Sequence, residues 1–136
     1  MHSLPLPANG HFALAYVHSI YHAPSAELFV AEGRRFTMYA VVSLSGGVLD
    51  YYALEGRRTR LTGGRFRLDL DEPVTYSSID LLATSLGQRT LVAGDRCLPL
   101  FPPTGAASVR LELDWTQSGT SGPCPAYSQS LFLKAQ

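Results

Sequence analysis

All four histidines, His2, His11, His18 and His22, fall within the first 22 residues of a 136-residue chain. Imidazole ligates copper and zinc, so this clustering is the most direct hint of chemistry in the sequence. Copper suits the set better, because several imidazoles without a thiolate cluster favour Cu(II), and Met1 or Met38 would add a soft ligand for Cu(I). A copper site with an open position could change oxidation state and act on superoxide, as a superoxide dismutase does. The His-x-His pair of known copper dismutases is missing, so copper binding without turnover is the safer expectation. On a regular strand His18 and His22 share a face but stand roughly 13 Å apart, too far for one metal. A bulge or turn before Pro24 would have to join them, and His11 and His2 would have to arrive from the start of the chain. The competing reading makes His18 a core histidine bonded to backbone or to Glu27, with the other three exposed.

The remaining candidates are weaker. Cys97 and Cys124 are isolated, belong to no Cys-x-x-Cys pair, and allow one intramolecular disulfide. They are expected to stay free in a reducing cytosol and to pair in a cell envelope, where a bridge of this span contributes about 3 kcal/mol. Arg57, Arg58, Arg60, Arg65 and Arg67 concentrate positive charge on one hairpin. They could hold an acidic partner or an anionic polymer, or simply keep a sheet edge charged against pairing. Asp69, Asp71 and Glu72 follow at once and offer oxygen ligands for calcium, although such a fragment alone is thin support. Ser19 beside His18 is no catalytic dyad, since neighbours on a strand point to opposite faces. A nucleophile elbow and a glycine-rich phosphate loop are both missing.

The elements that would position these residues read as strands. In FALAYVHSIYH, residues Phe12, Leu14, Tyr16, His18, Ile20 and His22 alternate onto one face. ELFVA, RFTMYAVVSL and VLDYYAL follow as further strands, separated by glycine breaks. RRTRL and RFRLDL form a hairpin through Thr62-Gly63-Gly64, and TLVA and RCLPL form another through Gly94-Asp95. SSIDLLATSL is open between a strand and one or two helical turns. SVRLELDW alternates Val109, Leu111, Leu113 and Trp115 inward, and a last strand is expected near AYSQSLFLK. About ten short strands with breakers every 8–12 residues predict an all-β fold. Residues 1–136 are therefore expected to form a single β domain, a β-sandwich or flattened barrel of short antiparallel strands.

Composition sets the outer bounds. Hydrophobic residues make up 46% and charged residues 16%, enough apolar material for a core and too little charge for a disordered chain. Eleven basic residues balance eleven acidic ones, so the net charge makes no electrostatic case for general nucleic-acid or anionic-membrane binding. No apolar run approaches the roughly 18 residues of a membrane helix. The opening MHSLPLPANG lacks the charged start and long apolar segment of a signal peptide.

One stretch carries a family resemblance. His18-Ser19-Ile20, Pro24, Glu27, Phe29 and Val30 give H-S-I-x-x-x-P-x-x-E-x-F-V. This resembles the opening of the uncharacterised bacterial family known as domain of unknown function 1850. FTMYAVVSLSGGVL and TLVAGDRCLPL are similar to a later strand and hairpin of that family. Tyr21-His22-Ala23 stands where many relatives carry an acidic and a basic residue, so a role for His22 would be particular to this chain. The resemblance implies a small β domain outside the cytoplasm, in the periplasm or cell envelope, freed of its export signal. Its implied setting is an envelope protein complex or a solute-transporter component, and it transfers no catalytic residue. A non-catalytic accessory module is thus the first expectation and a copper protein the alternative.

Overall fold

A computed structural model describes residues 2–114, 119 and 121–132. Alternating apolar side chains produce nine strands among them: β1 (His11–Val17), β2 (Pro24–Glu32), β3 (Arg35–Ser43), β4 (Gly56–Arg60), β5 (Phe66–Tyr76), β6 (Ser78–Thr84), β7 (Thr90–Ala93), β8 (Arg96–Pro99) and β9 (Ala106–Glu112). Seven of these form one antiparallel sheet in the order β4-β5-β3-β2-β1-β7-β8, and β6 pairs with β9 in a second. The fold is all-β and consistent with a sandwich; the sheets do not close into a barrel. Both expected hairpins form, β4 with β5 and β7 with β8. SIDLLAT, where helical turns were the other option, is strand β6.

Each face of the large sheet is buried differently. Leu14, Phe29, Phe36, Val41 and Leu68 line one face, where Phe12 stacks on Phe29 at 5.1 Å and Ile79, Leu81 and Leu111 of the small sheet pack on the cluster. The other face carries Ala13, Ala15 and Ala26, whose small side chains let Leu131 and Tyr127 of the C-terminal segment come close. Cys97 lies fully buried on that face and is disulfide-bonded to Cys124, with Cα atoms 5.1 Å apart. Gly122 forms an antiparallel bridge with Cys97 and so covers the β8 edge there, while among the described residues no strand or bridge pairs with the outer edge of β4.

Three expected strands are corrected. VLDYYAL is not a strand: Gly46–Tyr52 forms a short helix, α1. A strand would bury Asp50 together with Val48, whereas helical spacing buries Val48 and Leu49, turns Tyr52 inward and leaves Asp50 and Tyr51 in water. AYSQS folds as a 3-10 helix, Ala126–Ser130, in place of a last strand. FALAYVHSIYH is a strand only to Val17, after which the chain turns. Trp115 lies outside the described residues.

Candidate functional site

The turn between β1 and β2 holds the most strongly patterned residues of the chain. His18 donates its backbone N–H to the Ala23 carbonyl at 3.0 Å, and the N–H of His22 returns to the His18 carbonyl at 2.8 Å. His22 adopts a φ of 51°, the left-handed conformation that closes the loop. Inside it, Nδ1 of His18 accepts hydrogen bonds from the backbone N–H groups of Ile20 and Tyr21, each at 3.2 Å. The imidazole thus does what a side-chain oxygen does at a helix N-cap, and its own proton sits on Nε2. Only 6% of His18 is exposed. Burial, and then the nearby charge of His22, lowers its pKa from the ordinary histidine value.

Aromatic rings enclose this histidine. Tyr51 of α1 meets it edge-on at 4.8 Å, and Tyr21 and Tyr16 lie 5.4 and 6.4 Å away. Tyr21 rests against Gly47, where a Cβ would come within 2.5 Å of its ring and displace it. Behind the turn runs a proton-ordered chain. Tyr52 donates to the Glu27 carboxylate at 2.5 Å, which leaves its oxygen to accept from Tyr16, also at 2.5 Å. Burial raises the Tyr16 phenol to about 12, and burial with the Glu27 charge raises Tyr52 as well. The Arg89 guanidinium stands 5.0 Å from the Tyr16 ring centre. These phenols escaped the sequence reading because the strand assigned to VLDYYAL hid the helix that turns Tyr52 inward. Of the two partners expected for a buried His18, backbone or Glu27, the backbone is the one it takes, and Glu27 serves Tyr52.

The four histidines are not brought together. His11 opens β1 and His18 follows its end, so seven steps of about 3.3 Å separate them by roughly 23 Å. His11 is bonded through Nδ1 to the Tyr39 hydroxyl at 2.9 Å, while His2 and His22 are exposed. Among the described residues no three His, Cys, Asp or Glu side chains are placed to hold a metal ion. The convergence on which the copper reading depended does not occur there, because the turn at His18 faces His18 Nδ1 to the backbone.

The arginine hairpin divides by environment. Arg65 bonds the Thr62 and Leu131 carbonyls, and Arg67 pairs with Asp69 at 2.9 Å and lies over the Tyr39 ring. That pairing also occupies one of the carboxylates considered for calcium. Arg58 pairs with Asp50 of α1 at 2.6 Å. The Arg57 side chain makes no ion pair or hydrogen bond among the described residues, and the Arg60 side chain has only the Phe66 ring, 5.3 Å away. Between α1 and β4 lies an open groove of about 360 Å³, lined by Leu49, Asp50, Arg58, Arg60 and Phe66. A second groove of about 410 Å³ crosses β6 and β9 beside Asp80, Leu82 and Arg110. Neither reaches His18 or Glu27.

No curated protein and no solved structure matches the chain. The model of one family does match, over residues 12–100, from the second residue of β1 to just past β8 and including the whole His18 turn. The chain accordingly belongs to the family described as Domain of unknown function (DUF1850).

Proposed function

We propose that this chain is a non-catalytic accessory module of the cell envelope whose open arginine edge receives an acidic segment of a partner protein. The observation that carries this reading is the contrast between the two edges of the large sheet. β8 is bridged by Gly122 and tied by the disulfide, whereas the outer edge of β4 is unpaired among the described residues and presents Arg57, Arg58 and Arg60, all exposed, beside the groove against α1. Arg57 and Arg60 have no carboxylate partner among the described residues, which leaves them for a partner carboxylate. The disulfide supports an extracytoplasmic setting, since such bonds persist where the surroundings are oxidising. The partner is an envelope protein complex, with a component of a solute transporter as the first candidate. No geometry favours the copper alternative over this reading.

Calorimetric titration against the purified extracytoplasmic subunit of a solute transporter, the first candidate partner, tests the proposal. Saturable binding is expected, weakening steeply with salt and falling about tenfold or more in Arg57→Glu and Arg60→Glu. Binding that ignores both substitutions, or no binding at low salt, overturns the arginine edge as the contact surface.

A further inference from the structure

A separate surface lies at one end of the large sheet. The β1–β2 turn, the start of α1, the β4–β5 tip and the β6–β7 turn all reach that end, and the contact of Tyr51 with His18 brings the last turn of α1 beside them. Strand register places them there: Val17 pairs with Pro24, Ser25 with Ser43 and Ser43 with Phe66, while the Val17 N–H bonds the Gly87 carbonyl. Three of these connections expose large apolar side chains: Ile20 (57%) and Tyr21 (46%), Tyr51 (61%), and Leu86 (85%). Burying them elsewhere would be favourable, yet the fold holds them out; His18 fixes the Ile20 and Tyr21 backbone and packs against Tyr51.

We infer that this end docks on an anionic lipid surface, with Ile20, Tyr51 and Leu86 entering the interfacial layer. Two observations select lipid as the occupant. First, the side chains stand on separate connections, and a fluid surface receives separate tips without matching their shape. Second, the charge is complementary to anionic headgroups. Although the whole chain is neutral, segments 18–23, 44–53, 61–65 and 84–89 contain one acid, Asp50, which is paired with Arg58, against Arg65 and Arg89, whose contacts with carbonyls and an aromatic ring leave their charge in place. Tyrosine is also a residue of the membrane–water boundary, with an apolar ring and a polar tip.

The test pellets the full chain with vesicles of phosphatidylethanolamine and phosphatidylglycerol, beside vesicles of phosphatidylcholine alone. Partitioning is expected onto the anionic vesicles and more weakly onto the uncharged ones. Ile20→Ser and Leu86→Ser should each lower the partition coefficient about tenfold, with thermal unfolding unchanged because both side chains are exposed. As an independent readout, Leu86→Trp should gain fluorescence on binding and be quenched by brominated lipid. The inference is overturned by no pelleting with either vesicle, by variants that pellet like wild type, or by an unquenched Trp. It is equally overturned if vesicles fail to bind while Ile20→Ser weakens the complex with the transporter subunit, since the end then meets protein.

Discussion

His18 acts through its neutral ring. As long as Nδ1 is unprotonated it accepts from Ile20 and Tyr21, and protonation removes that acceptor and places a charge among aromatic rings. The folded pKa lies below the unfolded value, so between the two the unfolded chain binds more protons and stability rises with pH. The contribution is complete above about pH 6.5, the ordinary histidine value, and is lost as pH falls toward the folded pKa. The midpoint of thermal unfolding is therefore expected to drop as pH falls below about 6.5 more in wild type than in His18→Asn, whose amide oxygen also accepts a backbone bond but does not titrate. Equal slopes in the two proteins would show that the imidazole does not report on the turn.

At the scale of elements, the edge strand that carries the proposed contact is the least supported part of the sheet. β4 is hydrogen-bonded to β5 alone, and it fits because Gly56 has no side chain; a Cβ there would stand 2.1 Å from the Asp69 carbonyl oxygen. Gly56→Ala must push the backbones apart, at a cost of about 1–3 kcal/mol, and the loss should be local. Amide exchange in Arg57–Arg60 is expected to accelerate while β1, β2 and β3 keep their protection; uniform acceleration would mean that the edge unfolds only with the whole sheet. This hairpin was legible beforehand, since Thr62-Gly63-Gly64 between two alternating runs specifies it directly. VLDYYAL was not: its β-branched and aromatic residues favour a strand, and only the partners waiting for Val48, Leu49 and Tyr52 choose the helix. The site was half visible for the same reason. His18 and Glu27 stood out by type and spacing, while the acceptor role of Nδ1 and the link from Glu27 to Tyr52 arise from tertiary placement.

For the whole molecule, the decisive constraint is the one that fastens the last segment to the sheet. Leu131 seals the alanine-lined face, Tyr127 donates to the Gln88 carbonyl at 2.6 Å, and Gly122 covers the β8 edge. These contacts come from residues beyond 12–100, so the family-matched part depends on a neighbouring stretch to complete one face. The Cys97–Cys124 bond ties the two together across 27 residues. Closing a loop of that length restricts the unfolded chain by about 3–4 kcal/mol. Reduction, or the Cys97→Ala/Cys124→Ala pair, is accordingly expected to lower the midpoint of thermal unfolding by roughly 10 °C. Exchange should rise first in β7 and β8, where the segment is anchored, and last in β2 and β3. Such a loss would make an oxidising compartment a condition of the intact fold, which links the cysteine pair to the proposed envelope setting. A shift under about 2 °C would instead mean that burial of Leu131 holds the face unaided, and the bond would then carry no argument about where the protein works.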